Sequence, residues 1–165
     1  ELLRLREIKP VMESLKTFWN GMGNIFKTVV TLIIAADIFS QGLIALGFID
    51  GLVWASQNIG LQAVGIGVVM TIMIFLASML MGSGNASFFA FAPLVPNIAR
   101  QFGVSSAAMI LPMNFAASMG RTVSPVAGVL IATAEIAQVS TLDIVKRNLI
   151  PLGSALVVML VFHFI

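Results

Sequence analysis

The 165 residues are 59% hydrophobic and 10% charged, with a net charge of +2 and a mean hydropathy of +1.04. A soluble domain carries roughly 25% charged residues, and between Lys27 and Arg100 the ionisable side chains here are only Asp37 and Asp50, too few to keep a folded surface wet. An ordinary soluble domain is thereby excluded, and an all-α polytopic membrane protein is expected.

Cysteine is absent, which excludes disulfides and thiolate metal sites; no cofactor and no metal site is expected beyond a coupling cation. The basic residues sit at the ends and in the loops without interleaved aromatics, so nucleic acid is not an expected partner. A charged segment of about twenty residues with no short basic start precedes the first apolar run, so no cleavable signal peptide is expected there. The chain starts with Glu and stops inside an apolar run, and on that ground it reads as a fragment.

The opening "ELLRLREIKPVMESLKTFW" places Leu5, Ile8, Met12, Leu15 and Trp19 at helical spacing, with Arg4, Lys9, Glu13 and Lys16 mostly off that stripe. Residues 1–20 are thus expected as an amphipathic segment on the membrane surface or packed on other protein, and residues 21–165 as a transmembrane unit. "NGMGN" (20–24) reads as a breaker. The run from about 26 to 48 is long enough to span a hydrocarbon core of roughly 30 Å. "IDGLVWASQNIG" (49–60), with Asp50, Gln57, Asn58 and Trp54, reads as a loop or short surface helix.

A second apolar run, 61–81, leads into the break Gly82-Ser83-Gly84-Asn85. The stretch 86–99 after it is about fourteen residues, roughly 21 Å as a helix, too short to cross. Residues 61–99 are therefore expected to form a re-entrant hairpin, its return arm bent at Pro93 and Pro96. "RQFGVSS" (100–106) is a turn with Gly103 as stop and Ser105 or Ser106 as the next N-cap. Residues 107–119 and 126–139 are apolar and "GRTVSP" (120–125) interrupts them, which predicts a broken transmembrane helix over about 106–139. An amphipathic connector, 140–148, precedes a final span from 149. Arg4, Arg6, Lys9, Lys16, Lys27, Lys146 and Arg147 flank the first and last spans, so the N-terminal segment and the connector are expected in the cytoplasm.

Breaks inside a bilayer leave backbone groups that protein, water or a ligand must satisfy, and discontinuous helices recur at the binding sites of secondary transporters. Asn85 is expected to cap the return arm, leaving the N–H groups of Ala86 to Phe88 for a ligand. Ser124 followed by Pro125 reads as N-cap and first helical residue of the later half-helix. Arg121 adds a full positive charge suited to a carboxylate; an ion pair or a snorkelling group is its structural alternative. The expected substrate-binding residues are Ser83, Gly84, Asn85, Ala86, Ser87, Arg121, Thr122 and Ser124. Asp37, Asn114 and Glu135 are candidate coupling-ion groups, each with a structural alternative: interhelical hydrogen bonds for Asp37, Asn114 and Ser118, and an interfacial place for Glu135. His163 is expected to be structural and the ten Met residues to be packing.

"GSGNASFFAFAPLVPNIA" (82–99), "AASMGRTVSPVAGVLIATAEIAQVSTLDIVKRNLIP" (116–151) and "GMGNIFKTVVTLIIAADIFSQGLIALGFID" (21–50) resemble the anaerobic four-carbon dicarboxylate carriers of the DcuC type, over roughly residues 18 to 160. The resemblance implies membership of the ion-transporter superfamily, with inverted repeats and a homodimer moving like an elevator. On this view the chain is the C-terminal repeat of a carrier and its N-terminal repeat is missing. Ser83 to Ala86 stand at the hairpin-tip motif and Gly120 to Pro125 where the second helix unwinds. The strict Ser-Asn-Thr triplet of the sodium-coupled members is absent, which leaves proton coupling or exchange beside sodium. The implied function is uptake, efflux or antiport of succinate and fumarate in anaerobic metabolism, in a bacterial inner membrane. Other classes are a channel-like or assembly subunit for organic anions and an intramembrane serine protease using Ser83 and His163. A Gly at position 81 would favour the protease, and that position is Met.

Overall fold

The computed structural model describes residues 8–58, 60 and 63–164, and among them every regular element is a helix. They are α1 (Ile8–Ala45), α2 (Phe48–Asn58), α3 (Ala63–Met81), α4 (Gly84–Phe91), a 3-10 turn (Ala92–Leu94), α5 (Val95–Phe102), α6 (Ser106–Thr122), α7 (Gly128–Ala137) and α8 (Thr141–Phe164). Three helical stretches, Lys9–Ala45, Ala63–Met81 and Thr141–Phe164, are long and apolar enough to cross a membrane. The chain divides into two compact units, Glu1–Ala35 and Ala36–Ile165. The stripe position Leu5 and the basic Arg4 and Arg6 lie outside the described residues, as do the side chains of Ile8 and Gln57.

The first unit is helical from Ile8 onward. Leu15, Phe18, Trp19, Ile25 and Phe26 are exposed, and the Phe18 and Trp19 rings meet edge to face at 6.1 Å. The hydroxyls of Thr17, Thr28 and Thr31 donate to carbonyls one turn back at 2.8–2.9 Å, so an apolar surrounding meets no bare hydroxyl. The expected breaker at Asn20–Asn24 does not break the helix, which runs through it. Gly21 and Gly23 cost the helix roughly 1 kcal/mol each relative to Ala. Leaving the helix in an apolar medium costs several kcal/mol for each unsatisfied backbone group, so continuing is cheaper.

In the second unit α3 packs along α6. Ile66, Met70 and Ile74 recur every fourth residue on α3, and Met109, Met113 and Ala117 do so on α6. These two stripes meet Leu94, Val95 and Ile98 of the 3-10 turn and α5 in one buried cluster. The approach is closest at Gly120, where a Cβ would collide with the Phe75 carbonyl oxygen and stand 2.9 Å from Ser78 Cβ. There the buried Ser78 hydroxyl donates to the Ala117 carbonyl at 2.5 Å.

Prolines leave helix carbonyls without their normal donor, and side chains from other elements take up two such places. Pro112 lies inside α6 and has no N–H for the carbonyl of Ala108; His163 Nε2, from the end of α8, lies 2.7 Å from that oxygen. A carbonyl can only accept, so the proton sits on Nε2. Pro93 shifts the chain into the 3-10 turn, and the buried Ser40 hydroxyl donates to the Ala90 carbonyl at 2.8 Å. His163 is therefore a structural donor, as its sequence context suggests. His163→Ala in the full-length protein should lower stability by about 1 kcal/mol, read as a drop in Tm in detergent. An unchanged Tm would show that water or lipid replaces the ring at no cost.

Several boundaries differ from the sequence reading. Residues 49–60 contribute a helix, α2, and Gly103 stops α5 at φ 68 with Ser105 capping α6, as expected. The connector 140–148 is not a separate element, because α8 is continuous from Thr141: the connector's hydrophobic positions lie in phase with those that follow. The second interruption falls later than 120–125. Gly120, Arg121 and Thr122 are still helical, and residues 123–127 form successive tight turns before Gly128.

Candidate functional site

The two interruptions touch each other backbone to backbone. Gly82 turns the chain after α3 with φ 69, and a Cβ there would lie 3.0 Å from the Val126 carbonyl and 3.1 Å from the Ala127 nitrogen. At Gly84 a Cβ would lie 2.8 Å from the Ala117 carbonyl oxygen. Only glycine allows both the left-handed turn and this approach.

Capping at these ends departs from expectation. Ser83, extended at φ −138 and ψ 111, is the N-cap of α4, and its Oγ accepts from the Ala86 N–H at 3.2 Å. Asn85 is inside the helix instead, because the turn at Gly82 already sets Ser83 in the conformation an N-cap needs. The Ser87 N–H bonds the Ser83 carbonyl at 3.2 Å, so Ala86 and Ser87 are not the open amides; those of Gly84 and Asn85 are. At the later break Ser124 does not cap α7. Its Oγ accepts from the Val126 N–H at 3.3 Å, and the N-cap is Ala127, with no side-chain cap bond. The packing of Val126 and Ala127 against Gly82 delays the helix past Pro125. The amides at the start of α7 therefore have no side-chain acceptor of their own.

Both helix starts face one cavity of about 510 Å³, lined by Gly84, Asn85, Ser118, Arg121, Thr122, Ala127, Val129, Leu130, Thr133, Ile144 and Asn148. Among the described residues no carboxylate lines it. The Arg121 guanidinium makes no hydrogen bond or ion pair among the described residues. Hydroxyls of Ser118, Thr122 and Thr133 donate to the carbonyls of Asn114, Ser118 and Val129, so their protons are committed and the donors for an anion are Arg121 and the helix starts. Arg121 thus adds a full charge to the partial positive charge of two helix N-termini. The chemistry this allows is reversible binding of an anion.

Of the residues expected at the substrate site, Gly84, Asn85, Arg121 and Thr122 line this cavity. Ser83 shapes it as a cap, and Ala86 follows on the same turn. Ser87 and Ser124 are fully buried; the Ser87 hydroxyl is shared between the carbonyls of Ser83 and Gly84 at 3.1 and 3.0 Å. Asp37, Asn114 and Glu135 are exposed and do not line the cavity. Ser83 and His163 have separate partners, so the serine–histidine pairing of a protease is not formed. Sequence reasoning missed Ala127, Val129, Leu130, Thr133, Ile144 and Asn148 as lining, and favoured helix joining over a site role for Ser118. A partial signal was present for Ser118, which shares a helix face with Arg121 and Thr122 at spacings of three and four.

The family model described as C4-dicarboxylate anaerobic carrier, DcuC, matches residues 1–165. This chain belongs to the DcuC family. Relatives named anaerobic C4-dicarboxylate transporter DcuC, in Escherichia coli strain K12 and in Shigella flexneri, are each 37% identical over 161 residues, covering 98% of this chain and 35% of the relative. An uncharacterised transporter of Haemophilus influenzae is 37% identical over 131 residues, covering 79% of this chain and 46% of the relative. The chain therefore spans about a third of the length of the DcuC relatives it matches. No solved structure matches it. DcuC membership, together with the apolar helices, makes this a membrane protein of a transporter family rather than an enzyme.

Proposed function

We propose that this chain is the C-terminal transmembrane repeat of a secondary carrier that moves C4-dicarboxylates, such as succinate and fumarate, across a bacterial inner membrane. The observation that carries the reading is the cavity at the meeting point of the two helix interruptions, where among the described residues no acid lies and Arg121 has no partner, with two helix N-termini around it. Residues 61–99 act as a re-entrant hairpin and 106–139 as a broken helix, and together they hold the substrate near the bilayer midplane, where such breaks form binding sites. An N-terminal repeat of the same protein supplies the opposite half of the site, and two copies assemble as a homodimer.

The basic residues around the first and last spans set the N-terminal segment and the start of α8 on the cytoplasmic side. Ile144 and Asn148 then give the cavity a cytoplasmic opening. The driving force is exchange or a coupled proton or sodium ion. The test is counterflow of labelled succinate by the full-length protein in liposomes. Saturable uptake competed by fumarate is the expected result; an ohmic anion current without saturation would overturn the carrier reading in favour of a channel.

A further inference from the structure

Resting on that reading, we infer that Asn148 of α8 is a specificity-determining residue that holds the second carboxylate of the substrate. A dianion confined in an apolar surrounding needs donors at both ends, since each unpaired carboxylate is expensive to desolvate. Among the described residues the cavity offers one formal cation, Arg121, which suffices for one end. Two further polar groups there are carboxamides, Asn85 of α4 and Asn148 of α8, and neither side chain makes a hydrogen bond among the described residues.

Asn148 reaches the cavity because it lies one turn after Ile144 on the same face of α8. The helix is unbroken from Thr141, so a residue that belongs by sequence to a connector becomes part of the wall. Its neighbours Lys146 and Arg147 are exposed and do not line the cavity, whereas Asn148 is half-buried. A carboxamide provides two N–H donors without a charge. Such a donor recognises a second carboxylate yet leaves the dianion free to depart, which a second guanidinium would hinder. A solute with one carboxylate would bind through Arg121 and make no use of Asn148. Discrimination between dicarboxylates and monocarboxylates therefore resides at this position.

The test uses the full-length carrier in liposomes with wild type, Arg121→Ala, Asn148→Ala and Asn148→Asp, measuring KM for succinate and inhibition by butyrate. Asn148→Ala should raise KM for succinate about tenfold or more, the loss of one hydrogen bond to a charged group, with butyrate inhibition unchanged. Asn148→Asp should abolish succinate uptake at neutral pH. An Asn148→Cys variant in a background free of other cysteines supplies a readout independent of transport rate: saturating succinate should protect it from a charged thiol reagent. Wild-type KM in both Asn148→Ala and Asn148→Asp, or labelling of the cysteine unaffected by succinate, would overturn the inference. A merely structural role would lower protein yield and Vmax while leaving the ratio of succinate to butyrate affinity where it was, and that result too counts against it. Failure of the carrier reading itself looks different: Arg121→Ala would then bind and transport as wild type.

Discussion

Arg121→Ala in the full-length carrier should cut succinate transport at low substrate by about a hundredfold, mostly through KM. Among the described residues the guanidinium is the one formal charge lining the cavity, and a charge-assisted, two-pronged contact with a carboxylate is worth about 3 kcal/mol. Two helix N-termini remain in the variant, each a partial positive charge of about half a unit, so binding weakens rather than vanishes. Arg121→Lys should fall between the two, since it keeps the charge and loses the planar fork. Because Arg121 has no partner among the described residues, its removal orphans no buried carboxylate, and Tm should be nearly unchanged. Wild-type KM in Arg121→Ala would place the anion elsewhere and remove the basis of the site.

Gly120→Ala should have the largest effect on assembly. A methyl group there meets the Phe75 carbonyl oxygen and stands 3.1 Å from the carbonyl carbon, backbone atoms that cannot rotate aside. Helix α6 must shift away from α3, which stretches the Ser78–Ala117 hydrogen bond and displaces the adjacent Arg121. Overpacking of this kind costs about 1–3 kcal/mol, against a gain of roughly 1 kcal/mol in helix propensity from Gly to Ala. The net expectation is a lower Tm and a loss of transport out of proportion to it. Gly153→Ala is the control, because nothing lies within 4 Å of that Cβ position, and it should be neutral or slightly stabilising. A variant Gly120→Ala with wild-type Tm and transport would show that the α3–α6 approach is not needed.

Much of the architecture could be read from residue order. The long apolar runs became α1, α3 and α8, the Gly103 stop and Ser105 cap came where turn chemistry puts them, and both interruptions were visible as Gly, Ser and Pro clusters. The two capping misreadings share one cause. Asn85 and Ser124 are good capping residues by type, yet whether a residue caps depends on the backbone angles that its surroundings impose. At Ser83 these come from the turn at Gly82, and at Ala127 from packing against that same glycine. The breaker at Asn20–Asn24 failed for the converse reason: local preference for a turn is worth about a kcal/mol per glycine, less than the backbone hydrogen bonds it would forfeit in lipid.

By itself, then, the sequence determined that the chain is a helical membrane protein, that helices break near Gly82 and near Pro125, and that Arg121 stands beside the second of these breaks. These follow from hydrophobicity, chain stiffness and the solvation cost of charge, all of which act over a few residues. Tertiary structure decided that the two interruptions touch, that their open helix starts line one cavity, and that Asn148, some twenty-seven residues along the chain from Arg121, belongs to its wall. That juxtaposition depends on backbone approach at Gly82, Gly84 and Gly120, and a glycine's letter in a sequence does not say which distant carbonyl will fill the space its missing side chain leaves.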